Sequence, residues 1–250
     1  MSADTDRFHP ARLIAQRDAG GGMTQIAVEV PRDILATHTS PGQYVEVRTN
    51  GRTGFFVLAN EPSPPSADAR ETSGSWEFIM RPGGGASDVL VRMAPGSMLE
   101  LTRAIGAGFP MSDARGRPLI VALSGTGIAA ARPIVQRRIA EGDAARTYVF
   151  MGIRTSTELP MRRDLEGWMR AGVEVLVCLS KDDGSIDGVP HAHGYVQSVL
   201  QSVVSDGARA PRDRCANAHI FAVGMASMVQ GLKALAPELG ISAENVHTNH

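Results

Sequence analysis

The chain has 250 residues, 43% hydrophobic and 20% charged, with 25 Lys plus Arg against 26 Asp plus Glu. That length allows two domains of ordinary size, the composition is that of a folded globule, and the near-zero net charge excludes a general attraction to nucleic acid or anionic lipid. Cys178 and Cys215 are too few for a four-cysteine iron–sulfur or zinc centre or for a secreted disulfide framework, so free thiols are expected. No stretch approaches the ~18 apolar residues of a membrane span. Met1–Ala15 carries charges where a secretory signal is apolar, which gives a cytoplasmic protein as the expectation.

The hydrophobic period changes near residue 110. Before it, strand candidates alternate: Ile26, Val28 and Val30 share a face, as do Val45 and Val47, and then Trp76, Phe78 and Met80, with polar neighbours such as Gln25, Glu29, Glu46 and Glu77. Period two predicts strands with one buried and one wet face, an antiparallel sheet or small barrel. Turns fall at Gly20–Gly22, Ser40–Gly42 and Asn50–Gly51, and Glu61–Gly74 reads as a mobile loop. Gly106–Gly116, rich in Gly and containing Pro110, reads as the linker. The expected division is 1–110 for the barrel and 111–250 for the rest.

Beyond the linker the strands are near-continuous apolar runs at Leu119–Leu123, Tyr148–Met151, Val173–Leu179 and His219–Val223, with a short one near Asn245–Thr248. Helices are predicted at Pro133–Glu141, Pro160–Ala171, Tyr195–Val204 and Met225–Leu239. Runs buried on both faces and alternating with helices predict a doubly wound α/β domain with a parallel sheet.

Ser124-Gly125-Thr126-Gly127-Ile128-Ala129-Ala130 follows the first of these strands and fits G-x-G-x-x-A. Gly125 and Gly127 allow a tight turn and close approach of backbone to ligand, and the next helix offers N–H groups to an anion. A Gly-rich turn formed for geometry alone is the rival. Pro133 is placed in the first turn of a helix starting near Arg132. A ribose-binding acid is expected at the end of the second strand, but Phe150-Met151-Gly152-Ile153-Arg154 ends in a base. Arg154, with Arg162 and Arg163, would accept a 2′-phosphate and favours NADP over NAD; a solvated arginine cluster is the rival. His191 and His193 would share a face on a strand and bind metal, but without partners at ligand spacing a surface loop is expected, as is solvation for Asp182, Asp183 and Asp187.

Taken together, these residues resemble the ferredoxin–NADP reductase superfamily over nearly the whole chain. Pro41-Gly42-Gln43-Tyr44-Val45 resembles its strand entry, Ile105-Gly106-Ala107-Gly108-Phe109 its domain junction, and Ser124–Ala130 its nicotinamide loop. Phe150–Arg154, Gly194-Tyr195-Val196-Gln197 and Val223-Gly224-Met225 match later elements in order. The resemblance implies FAD at Phe56, Val57 and Leu58, with Gly84, Gly85 and Ser87 on its phosphates; core packing for Phe55 and Phe56, and a plain turn with Ser87 as helix cap, are the rivals. It implies NADP (or NAD) at Gly125, Thr126, Gly127, Arg154, Gly224 and Met225, with Thr126 and Gly224 positioning the nicotinamide.

The departures are chemical. Where the family reads Arg-x-Tyr-Ser, this chain reads Gly54-Phe55-Phe56-Val57, with Arg52 nearby to replace the lost charge. Val223 stands for the family's cysteine, and the chain ends Thr248-Asn249-His250 in place of a terminal aromatic. A plant plastid branch of uncertain function is similar in its apolar flavin strand. The implied activity is electron transfer between NAD(P)H and an external acceptor or partner redox protein through a flavin; the alternative is a non-catalytic nucleotide- or partner-binding module on the same fold.

Overall fold

The computed structural model describes residues 7–63, 73–181, 184–205 and 217–249. Most of the loop read between Glu61 and Gly74, together with Asp182, Asp183, Cys215 and His250, lies outside the described residues.

Six antiparallel strands form the first half: β1 (His9–Gly20), β2 (Met23–Pro31), β3 (Tyr44–Thr49), β4 (Arg52–Val57), β5 (Ser73–Met80) and β6 (Met98–Leu101), in the order β4-β3-β6-β1-β2-β5. The alternation seen in the sequence sets the faces. Ile26, Val28, Val30, Val45, Val47, Trp76 and Phe78 are all at most 1% exposed in one core. The two edges of the sheet meet beyond β4, where Ala59 N–H donates to the Glu77 carbonyl at 2.8 Å and Glu77 N–H to Asn60 Oδ1 at 2.8 Å. Two short helices, α1 (Arg32–Leu35) and α2 (Ala86–Leu90), cover its ends.

The second half holds six parallel strands, β7 (Leu119–Ser124), β8 (Thr147–Ile153), β9 (Glu174–Leu179), β10 (His191–His193), β11 (His219–Val223) and β12 (Val246–Thr248), in the order β10-β9-β8-β7-β11-β12. The chain starts in the middle of this sheet, runs outward to β10, then returns to the other side of β7. The switch point therefore lies between β7 and β11, where open α/β sheets place their ligands. Helices α4 (Ile128–Ala140) and α5 (Arg162–Arg170) pack on one face, and α6 (Val196–Ser205) and α7 (Ala226–Leu235) on the other.

Four readings are corrected or refined. First, α4 starts at Ile128, so Pro133 is its sixth residue and withholds the donor that would reach the Ala129 carbonyl. Ile128, Ala129, Ala130 and Ala131 are all buried, and their packing on the sheet outweighs that loss. Second, Gly106–Gly116, the stretch read as the linker, is itself folded. It contains α3 (Met111–Ala114), and Phe109 is buried and stacked on Phe221 with ring centroids 4.7 Å apart. Third, His191–His193 is a short edge strand paired with β9 rather than a surface loop. Fourth, α2 begins at Ala86, so Ser87 lies inside it and does not cap it. Gly85 precedes the helix, and Ser87 Oγ donates to the Gly84 carbonyl at 2.8 Å.

The halves share one core. Ala19, Met23, Ala59 and Ile79 from the barrel pack with Phe109, α4 and the inner strands of the parallel sheet. Polar groups reinforce the contact. Arg132 on α4 donates to the Ala59 carbonyl at 2.9 Å, pairs with Glu77 of β5, and reaches Asp164 of α5 at 2.9 Å. Burial opposes the Arg132 charge, but Asp164 and Glu77 overcome it and its pKa is raised. Arg137 on α4 pairs with Glu61 of the barrel at 2.9 Å.

Candidate dinucleotide cleft and barrel junction

A cleft of about 920 Å³ opens at the C-terminal ends of β7, β8, β9 and β11. Its floor is shaped by glycines, each required for a different reason. Gly125 has φ +54° with open space where a side chain would stand, so its backbone faces the cleft. A Cβ on Gly127 would lie 2.6 Å from the Val223 carbonyl, so this glycine lets the start of α4 press against β11. A Cβ on Gly152 would lie 2.9 Å from Val196 Cγ2. Gly224 has φ +146°, and a Cβ there would collide with the Ser124 hydroxyl, which accepts a hydrogen bond from Met225 N–H at 3.3 Å. The loops after β7 and β11 thus close against each other at the switch point. Thr126 is exposed in the cleft, and Met225, 61% exposed, stands on its rim.

Of the arginines read from the sequence, only Arg154 lines the cleft. Arg162 donates to the Asp187 carbonyl at 2.7 Å and pairs with Glu166, and neither Arg162 nor Arg163 reaches the cavity. Other polar residues that the sequence reading did not assign to the site also reach it, among them Arg81, Glu158, Ser180 and Ser227. Arg81 comes from the barrel, at the end of β5, and donates to the Gly21 carbonyl at 2.8 Å. A charged residue ending an alternating strand just before Pro82-Gly83-Gly84-Gly85 was the available signal. Cys178 also lines the cleft; burial pushes its thiol up to about 12, so it stays protonated and is not a nucleophile.

On the barrel side, Gly84 (φ +102°) and Gly85 (φ +63°) lead into α2. Nothing stands where a Gly84 side chain would be, and a Cβ on Gly85 would lie 3.1 Å from the Thr53 carbonyl. The turn therefore lies against β4 with its backbone uncovered beside the first N–H groups of a helix. Asp88 accepts the Gly83 N–H at 3.0 Å. Register separates Phe55 from Phe56. Phe55 is 64% exposed, edge-on to Tyr44 at 5.8 Å. Phe56 is half-buried, 6.0 Å from Phe78, and its ring fills the space above Gly54, where a Cβ would lie 3.1 Å away. A larger residue at 54 would have to displace that ring. Val57 packs on the core shared by the two halves. Leu58 is fully buried in the barrel, and its N–H donates to the Gln43 carbonyl, which removes its side chain as a ligand contact. The structure thus gathers Gly125, Thr126, Arg154, Gly224 and Met225 around one cleft, while Gly127 is buried behind it against Val223. It sets Phe56, Val57, Gly84, Gly85 and Ser87 on the barrel side.

A family model described as an oxidoreductase NAD-binding domain matches residues 122–234, the segment that carries this cleft. Among curated proteins, a fruit protein of Actinidia deliciosa is 25% identical over 244 residues, covering 91% of this chain and 72% of its own length. A ferredoxin–NADP reductase B of Sorangium cellulosum is 29% identical over 170 residues, covering 66% of each chain. A ferredoxin–NADP reductase of Neisseria gonorrhoeae, solved with FAD and NADP, superposes with a TM-score of 0.72 at 12% identity over 98% of this chain and 99% of that one. The chain is similar to proteins of the ferredoxin–NADP reductase superfamily. The Actinidia match is compatible with the likeness to a plant branch, and the superfamily's two-domain architecture accounts for both sheets. Among the described residues no helix is long and apolar enough to cross a membrane, and no group of three or more His, Cys, Asp or Glu could hold a metal ion.

Proposed function

We propose that this chain is an NAD(P)H-dependent flavin oxidoreductase that passes electrons to an external acceptor or partner redox protein. The observation that carries the reading is the cleft at the switch point, where two glycine loops meet and two arginines from different halves line the same wall. That combination suits a nicotinamide dinucleotide, whose phosphates need N–H donors and cations and whose ring needs a side-chain-free floor. Arg154 favours NADP over NAD. Residues 1–110 would be the flavin-binding domain and 111–250 the nucleotide-binding domain.

The barrel side fits FAD through its backbone: the uncovered turn Gly84–Gly85 and the first turn of α2, including the Ser87 N–H, would hold the phosphates, and Phe56 and Val57 would flank the ring. When bound, the flavin supplies hydride acceptance and one-electron chemistry, for which this chain has no residues of its own. Gly224 lets the loop after β11 lie directly on Ser124, the Ser124–Met225 hydrogen bond holds that turn, and Gly224 and the Thr126 hydroxyl would position the nicotinamide in the cleft. Two cysteines in the whole sequence, with Cys178 buried and unpaired, leave an iron–sulfur acceptor to another chain and support a reducing, cytoplasmic setting.

One observation favours a second reading. Gly54 and Val57 supply no polar side chain on the flavin strand, and the Phe56 ring leans into the barrel. A non-catalytic nucleotide-binding module would need no more. The purified protein separates the two: flavin absorbance, with NADPH oxidation in the presence of ferricyanide, is the expected result. A colourless protein that retains no added FAD and consumes no NADPH would sink the redox reading.

A further inference from the structure

The cleft wall contains a carboxylate that the proposed cofactor would have to contend with. Glu158 lines the cavity between two arginines: its Oε1 is 3.7 Å from Arg154 Nε and its Oε2 is 4.0 Å from Arg81 Nη1. The first guanidinium belongs to the α/β half, just past β8, and the second to the barrel, at the end of β5. One carboxylate with an oxygen toward each of two guanidiniums occupies the position a phosphate would take.

The backbone that carries Glu158 is pinned. The β1–β2 turn of the barrel packs on it so closely that a Cβ on Gly21 would collide with the Glu158 carbonyl, and a Cβ on Gly20 would lie 3.0 Å from the Leu159 carbonyl. Met161 N–H donates to the Ala19 carbonyl at 2.6 Å, and Met161 itself is held at φ +51°. Glu158 N–H donates to the Thr155 carbonyl at 3.0 Å. The segment has no room to retreat, so an arriving anion can displace only the side chain. Until it does, it meets a like charge beside the two cations it needs.

We infer that Glu158 is a built-in competitor for the phosphates of the incoming nucleotide and so determines how strongly the cleft selects phosphate-bearing ligands. The inference rests on the reading of this cleft as a dinucleotide site, and it concerns affinity and selection rather than hydride transfer. Both pairs are partly exposed to water, so the effect is modest and screened by salt.

The test is equilibrium titration of the full chain and its Glu158→Gln variant with 2′-phospho-AMP and with adenosine, at low and at high ionic strength. The amide keeps the shape and removes the charge. At low salt the variant is expected to bind 2′-phospho-AMP about five- to tenfold more tightly, the size of two modest ion pairs released. The gain should shrink at high salt, and adenosine binding should change less than twofold. Glu158→Asp, too short to face both arginines, should show part of the gain and guards against a folding defect in the amide variant. Unchanged or weakened 2′-phospho-AMP binding in the variants, with the parent chain binding normally, overturns the inference. If the parent chain binds neither 2′-phospho-AMP nor NADPH, the dinucleotide reading itself falls and takes this inference with it.

Discussion

In the α/β half, the cleft is shaped by backbone features held by close neighbours: Gly127 against Val223, Gly152 against Val196, and Gly224 against Ser124. On the barrel side, Gly54–Val57 of the corresponding strand has no polar side chains to offer, and the best ligand-facing feature is the Gly84–Gly85 turn. The first site is specified by packing, because each glycine is required by a neighbour that cannot move. The second is specified by an absence of side chains and by one aromatic ring lying over Gly54. The barrel strand keeps its place in the sheet without polar side chains at 54–57, whereas change at the glycines of the switch point would deform the fold.

This contrast can be broken by mutation. The largest effect is expected from Gly224→Val, which combines a backbone conformation forbidden to valine with a collision at Ser124; about 4 kcal/mol, or about a thousandfold weaker NADPH binding, should appear in a fluorescence titration. Retention of even a tenth of the parent affinity would mean that the loop is not rigid.

The next effect is one of pH and belongs to the barrel. Burial pushes the His38 imidazole down to about 4 from an ordinary value of 6.5, and it packs edge-on to Trp76 with ring centroids 6.4 Å apart. Below pH 6.5 the unfolded chain takes up a proton that the folded one refuses. Stability is therefore full above pH 6.5 and falls by about 3 kcal/mol as pH drops to about 4, with no further loss from this group below that. Denaturant melts across this range should show the slope, and His38→Gln should flatten it.

Arg132→Ala strips the clamp between the halves and leaves Glu77 and Asp164 without their cation; about 2 kcal/mol of stability should be lost. Matching denaturation midpoints for parent and variant would assign the contact to the apolar core alone. Ser87→Ala is expected to do least. Its hydroxyl is spent on the Gly84 carbonyl, so flavin affinity should change by less than about threefold. A large loss would show that the barrel site depends on that side chain after all.

The buried faces of β2, β3 and β5, the parallel order of the second sheet and the glycine loop after β7 were legible because each leaves a local mark: alternation, apolar runs, or glycines at fixed spacing. β1 left none, since much of its length, from Ile14 to Asp18, is exposed and gives no alternation. Phe55 and Phe56 read as equals until the pairing with β3 put them on opposite faces. Arg81 and Glu158 were invisible as a pair because 77 residues separate them and only the meeting of the two halves brings them to one wall. Pro133 misled because helix propensity is a local quantity, and the burial of Ile128–Ala131 is not.

The core that contains Ile79 and Met23 of the barrel also contains Ile134 of α4 and Val121 of β7. Neither sheet can lose its order without stripping apolar cover from the other, so heating should give a single calorimetric peak rather than one for each sheet. Severing the chain near Pro110 should yield two fragments that are sticky apart and recover solubility when mixed.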